Sequence, residues 1–284
     1  MITLHHLSKN YGDLQALRDI SLEINDGLIF GFIGPDGAGK TTLFRILATL
    51  ILPDTGQVLI NHLHAVKDFR QIRQLIGYMP ARFSLYPDLT VEENLRFYAS
   101  LYHSTASLPE LYSHLEPFKH RRADNLSGGM KQKLALCCAL IHRPRILLLD
   151  EPTTGVDPVS RKEFWNILYH LRQQGITILV STPYMDEANR CDAIALIQQG
   201  TLLIVDSPPN ILASCFTSST LYAAKAANNY RLLADLKENK HVKLCYISGD
   251  SLRVVFHQQV PELRDVHLQP VAPTMEDCFI QLMH

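Results

Sequence analysis

The chain has 284 residues, 46% of them hydrophobic, with 27 Lys and Arg against 28 Asp and Glu and a formal net charge of −1. This length allows one large or two smaller domains with a substantial core. The near-neutral balance leaves no global electrostatic case for nucleic acid or an anionic membrane surface, so no nucleic-acid partner is expected.

Residues 2–7 and 16–24 read as a strand pair around a polar "SKNYGD" turn. "LIFGFIG" (28–34) reads as a short buried strand, followed by a glycine-rich loop and a helical segment over 40–50. Further strands are predicted at 57–61 and 75–80. From about 90 to 142 the apolar spacing is helical, and an amphipathic helix is expected in "GGMKQKLALCCALIH". Buried strands return at 145–150, 176–181 and 193–200, with a helix over 158–173. Strands alternating with helices imply an α/β core with a mostly parallel sheet. The helical block about 82–144 reads as an inserted subdomain.

After residue 205 the texture changes. "DSPPNIL" reads as a linker-like turn leading to a helix, and Gly249-Asp250 as a two-residue hairpin turn. Thr274 and Asp277 form a capping-box pattern before a last amphipathic helix. We therefore expect a domain over 1–205 and a small C-terminal α/β appendage over 206–284. Six cysteines (137, 138, 191, 215, 245 and 278) lack C-x-x-C or paired metal spacing, so they read as reduced, packed thiols of a cytoplasmic protein. The N-terminus does not read as a signal peptide. No apolar run approaches the length needed to span a bilayer, so the chain reads as soluble.

Three motifs carry chemistry. "GPDGAGKTT" (Gly34, Pro35, Asp36, Gly37, Ala38, Gly39, Lys40, Thr41, Thr42) matches G-x-x-x-x-G-K-[ST] between a strand and a helix. Its glycines let backbone N–H groups turn inward around a phosphate, and the helix N-terminus adds positive potential. Lys40 can reach the β- and γ-phosphates, and Thr41 can ligate Mg²⁺. "RILLLDEP" (145–152) is an apolar strand ending in two acids: Asp150 suits Mg²⁺ and Glu151 suits activation of the attacking water, although such an ending is also a common helix-capping turn. In "LSGGMKQKL" (126–134), Leu126, Ser127, Gly128, Gly129 and Met130 open a helix. The segment reads as a second anion-binding helix N-terminus or as a plain N-cap.

Together, in this order, the motifs resemble the ATP-binding cassette (ABC) ATPases over roughly residues 1–205. The resemblance implies a P-loop NTPase core with antiparallel N-terminal strands, and ATP with Mg²⁺ as the ligand. It further implies a head-to-tail pair of cassettes, homodimeric or heterodimeric, in which the signature of one subunit closes over ATP held by the other. On the same resemblance, Tyr11 matches the aromatic residue stacked on adenine, though it can equally be an ordinary turn aromatic. Asp157 in "TTGVDP" matches the loop that contacts the partner cassette. The piece 78–95, the "GGMKQKL" form of the signature and "PTMEDCFIQLM" look like ATPases of drug- and lipid-exporting systems. These act with a membrane-spanning permease, peripheral on the inner face of the cell membrane. Cytosolic non-transport ABC proteins and non-hydrolysing regulatory subunits are the alternatives.

Two positions depart from the family pattern. Ala81 stands where the family has a glutamine contacting Mg²⁺ and water, and Pro183 stands where it has a histidine bonding the γ-phosphate. Pro183 offers neither a side-chain donor nor a backbone N–H. Locally it is expected at the first helical position with Thr182 as N-cap. An impaired site of its own is therefore expected in this chain.

Overall fold

The order of elements in the first part of the chain is β1 (Ile2–Tyr11), β2 (Leu14–Ile24), β3 (Ile29–Ile33), α1 (Lys40–Leu47), β4 (Thr55–Ile60), β5 (Leu63–His64), α2 (Phe69–Leu75) and β6 (Ile76–Met79). There follow α3 (Val91–Leu101), α4 (Gly128–Leu140), β7 (Ile146–Asp150), α5 (Pro158–Gln173), β8 (Thr177–Thr182), β9 (Ala193–Gln198) and β10 (Thr201–Asp206). This computed structural model describes residues 1–82, 85–104, 109–216, 220–226, 228–257, 260–261 and 266–283.

Two sheets build the unit Met1–Val205. One is antiparallel, in the order β2-β1-β4-β5. The other runs β10-β9-β3-β8-β7-β6, with β9, β3, β8, β7 and β6 parallel. Strands β3, β7 and β8 are buried along their whole length, as a parallel sheet covered on both faces requires. Parallel strands end on the same side, so the loops after β3, β6, β7 and β8 share one edge of the sheet. Register aligns Ile33 with Thr182 and Asp150 with Ser181, which brings three of those loops side by side.

Local chemistry differs from the sequence reading in several places. The polar residues 8–11 stay in β1, where register shifts absorb them, and the turn shrinks to Gly12-Asp13. Such irregularities are tolerated because this stretch of β1 is largely solvent-facing. Helix α4 is buried at every position from Leu134 to Leu140. The expected amphipathic helix is thus a core helix, covered on all sides in its second half. Between α3 and α4 the described chain forms short 3₁₀ turns in place of continuous helix. The helix starting at α3 is set by a capping box that joins Thr90 and Glu93. Elements β5, α2 and β10 carry too short or too mixed a pattern to be read from periodicity.

The unit Asp206–His284 contains α6 (Pro208–Cys215), β11 (Leu221–Lys225), α7 (Asn229–Lys237), β12 (Val242–Ser248), β13 (Ser251–Phe256), β14 (His267–Pro270) and α8 (Met275–Leu282). Helix α6 starts directly at Pro208, where a linker-like turn is expected from the sequence, because proline's fixed φ suits the first helical turn. The antiparallel sheet runs β12-β13-β11-β14. Gly249-Asp250 forms the turn between β12 and β13, with Gly249 at φ +60°. One sheet face buries Ala224, Leu252 and Val254 with Leu232 and Leu236 of α7. The other buries Leu221, Leu244 and Val255 with Phe216 and Ile280.

Helix α8 opens with the capping box of Thr274 and Asp277, both halves formed. Asp277 is buried and does more than cap. Its Oδ2 accepts from the Thr274 N–H at 2.6 Å and its Oδ1 from the Tyr246 hydroxyl, with Arg253 Nε 3.8 Å away. Burial and this carboxylate together push the Tyr246 phenol pKa upward. Asp277→Ala removes the cap and leaves the half-buried Arg253 without its nearby carboxylate. We expect a loss of about 3 kcal/mol in this unit, on the scale of a broken buried ion pair. Hydrogen exchange reads it as protection of β12 and β13 falling about 100-fold.

Candidate nucleotide site at the edge of the parallel sheet

The loop after β3 is held by close backbone approach. A Cβ on Gly34 would lie 2.1 Å from the Ile197 carbonyl oxygen of β9. Gly39, at φ +104°, would bring a Cβ within 2.5 Å of the Ala16 carbonyl oxygen of β2. Only glycine fits both positions. The Gly200 N–H also donates to the Ala38 carbonyl at 2.9 Å, tying the loop to the β9–β10 turn.

Lys40 opens α1 and is 3% exposed. Its Nζ donates to the carbonyls of Gly34 at 2.7 Å and Pro35 at 3.0 Å, and lies 3.6 Å from Glu151 Oε1. Burial pushes the Lys40 pKa below the ordinary lysine range, and the carboxylates of Glu151 and Asp36 oppose that shift.

Next along α1, the Thr41 hydroxyl donates to Asp150 Oδ1 at 3.3 Å. Asp150 is fully buried at the tip of β7. The Ser181 hydroxyl donates to the same Oδ1 at 2.5 Å. Asp150 Oδ2 is buried without a hydrogen-bond partner among the described residues. A buried anionic oxygen without a donor calls for a cation, and a carboxylate beside a hydroxyl suits Mg²⁺, which takes few protein ligands and completes its shell with phosphate and water.

Glu151 takes a left-handed backbone, φ +50°. Its N–H donates to the Ser181 carbonyl at 3.1 Å and to Ser181 Oγ at 3.0 Å, which offsets the strain of that conformation. The side chain thereby turns from the strand direction toward Lys40. Thr154 Oγ1, 3.4 Å from Oε2, steadies it.

The signature and the 153–157 loop form a second locus. Ser127 is the N-cap of α4 and accepts from the Met130 N–H at 3.4 Å. Gly129 lies so near α5 that a Cβ would meet Ser160 Oγ at 2.6 Å, and Gly128 faces the Gly155 carbonyl. Asp157 caps α5, accepting from Val159 N–H at 3.1 Å and Ser160 N–H at 3.0 Å. Hydrogen bonds from Ser160 hold its carboxyl below the usual carboxylate range.

Tyr11 ends β1, 44% exposed, with Lys9 Nζ 5.8 Å from its ring centre. Ala81 is exposed just beyond β6, and residues 83–84 of the 78–95 piece lie outside the described residues. Pro183 does not occupy the first helical position. Strand β8 runs through Thr182, whose Oγ1 accepts from the Tyr184 N–H at 3.1 Å, and a 3₁₀ turn spans Met185–Arg190. The parallel pairing of β8 with β3 wins over the N-cap role for Thr182. The buried Glu187 in that turn accepts from Thr153 Oγ1 and Trp165 Nε1, both at 3.1 Å. It links the 183 turn to the segment after Glu151. Neither Ser181 nor Glu187 is singled out by the sequence motifs: Ser181 shows only as a hydroxyl at the end of an apolar run, and Glu187 is one charged residue among several in "MDEANR".

A glycine cradle, a buried lysine and two acids at the strand tips define a phosphate-loop nucleotide-binding protein. A family model described as ABC transporter matches residues 17–154. The probable multidrug ABC transporter ATP-binding protein YbhF of Escherichia coli K12 is 38% identical over 301 residues, covering 100% of this chain and 52% of that protein. The chain thus spans about half the length of this curated relative. Nod factor export ATP-binding protein I of Burkholderia orbicola is 32% identical, covering 99% of this chain and 96% of that protein. A solved dimeric ATP-binding cassette in a post-hydrolysis state, bound to ADP and Pi, superposes with TM-score 0.66 at 26% identity, over 73% of this chain and 98% of that one. The chain belongs to the ATP-binding proteins of ABC transporters.

Proposed function

We propose that this chain is the ATP-binding and slowly hydrolysing subunit of an exporter-type ABC transporter. Its cassette over 1–205 closes on a second cassette, homologous or identical, and couples ATP to transport through a membrane-spanning permease at the cytoplasmic face. Residues 206–284 are an accessory unit. One observation carries the reading: Lys40 and Thr41, at the start of α1, approach Glu151 and Asp150, at 3.6 and 3.3 Å, at the shared edge of the parallel sheet.

In this reading residues 34–42 cradle the phosphates, with Lys40 leaving its loop carbonyls for phosphate oxygens. Tyr11 stacks on adenine. Thr41 and Asp150 hold Mg²⁺, which when bound neutralises charge on the phosphate oxygens. Glu151 takes a proton from the attacking water. Residues 126–130 present the N-terminus of α4 to the nucleotide of the second cassette, and Asp157 belongs to the loop facing it. Ala81 and Pro183 leave two contacts to the transition state unmade, which supports pairing with an intact cassette.

Lys40→Ala removes the buried cation of the cradle. ATP affinity is expected to fall at least about 100-fold, the cost of a lost charge-assisted contact of roughly 3 kcal/mol, measured by calorimetric titration. The transport assignment is tested by purifying the tagged chain from detergent-solubilised membranes. A polytopic membrane protein should co-purify with it, whereas ribosomes or DNA in its place refute that part of the reading.

A further inference from the structure

We infer that Ser181 is a positioning residue, whose single hydroxyl sets both acids of the site at once: it orients Asp150 for metal and anchors the turn that aims Glu151. This rests on the nucleotide-site reading above and deepens it.

The geometry is specific. Ser181 is fully buried in β8, register-paired with Asp150 of β7. Its hydroxyl has one proton, and at 2.5 Å that proton is committed to Asp150 Oδ1. A lone pair of the same oxygen accepts the Glu151 N–H at 3.0 Å. The two bonds cooperate, since donation to a carboxylate makes the hydroxyl oxygen a better acceptor. With Oδ1 engaged, Oδ2 is the oxygen left buried and unpartnered among the described residues.

Thr41 also reaches Oδ1, but at 3.3 Å, the weaker of the two bonds. Its hydroxyl is itself a proposed metal ligand, so with metal present Ser181 is the donor that remains on Oδ1. The Ser181 carbonyl at 3.1 Å is a second acceptor for the Glu151 N–H, so losing the hydroxyl leaves the chain turn formed but less constrained. The expected defect is therefore greatest at Asp150. Outer-shell partners of metal ligands typically change metal affinity by about 10–100-fold. Ser181→Ala frees the carboxylate to rotate and to share both oxygens between Thr41 and the ion.

The test uses the full chain and Mn²⁺ as a spectroscopic probe of the metal position. Affinity for ATP is measured in EDTA, and affinity of the protein–ATP complex for Mn²⁺ by electron paramagnetic resonance. Ser181→Ala is expected to leave metal-free ATP affinity within about twofold and to weaken Mn²⁺ binding about 10–100-fold, with Ser181→Thr restoring most of it. Ser181→Cys, nearly isosteric with a weak donor, carries the same test if the alanine variant fails to fold. Unchanged Mn²⁺ affinity in the folded Ala or Cys variant overturns the inference. Equal loss of metal-free and metal-dependent binding overturns it as well, since that marks a general packing defect. If the unsubstituted chain binds no ATP, the nucleotide-site reading fails and the inference falls with it.

Discussion

Glu151→Gln is expected to abolish ATP turnover by this chain while leaving ATP bound. Its carboxylate lies at the mouth of the phosphate loop, 3.6 Å from Lys40. General-base catalysis contributes on the order of 10²–10⁴ in rate, and glutamine keeps the volume while losing the basicity. Ala81, in the loop after β6, and Pro183, in the loop after β8, carry no side-chain group that can take a proton. The left-handed turn at 151 depends on its N–H bonds to Ser181, which glutamine retains, so the fold is expected to persist. Removing a negative charge beside Lys40 also reduces repulsion of the phosphates, so ATP is held at least as tightly. With hydrolysis blocked, chains bound to ATP through the signature of a second copy accumulate as a dimer on size exclusion, provided the chain pairs with itself. Brisk turnover by the glutamine variant overturns the assignment of Glu151 as the base.

The second large effect has the opposite sign. Pro183→His combined with Ala81→Gln is expected to raise turnover on the order of 10²–10³-fold, the size of one preorganised transition-state contact regained. The two contacts serve one site, so their effects are not multiplied. The environment accepts the changes. Ala81 is exposed beyond β6, which leaves space for a longer side chain. Pro183 lies in a turn outside both β8 and the following 3₁₀ segment, with the carbonyl of Thr182 accepting the Gly34 N–H at 3.3 Å. Histidine restores a backbone N–H and an imidazole beside the phosphate loop. Adding Glu151→Gln to the double variant should remove the gain, which separates restored chemistry from better folding. Absence of any gain means that other groups already compensate, and the impairment is then refuted.

Local chemistry explains what could be read in advance. The phosphate loop was legible because its demands are short-range: Gly34 and Gly39 are glycines since backbone oxygens lie within contact distance, and Lys40 follows at fixed spacing. The buried strands that carry Ser181 and Asp150 announced themselves as apolar runs, and the Gly249-Asp250 turn as a break between alternating segments. Short strands did not. β11, "LYAAK", is held in place by its register to β13, and β14, "HLQP", by its register to β11, pairings that no window of sequence contains. The 3₁₀ turns before the signature and the all-round burial of α4 likewise depend on neighbours distant in the chain.

By itself, the sequence determined the family and showed the motifs, with Ala81 and Pro183 at the positions where the resemblance leads one to expect glutamine and histidine, because each is written in contiguous residues. Only the tertiary structure decided how the acids are aimed. The parallel register of β7 with β8 sets Ser181 against Asp150, and the turn after β7 brings Glu151 to Lys40 from 111 positions away along the chain. It also decided that Pro183 sits in an open turn after Thr182 and starts no helix, since Thr182 is committed to the sheet. Pairing between strands distant in sequence has no local signature, and it is this pairing that turns a set of motifs into a site.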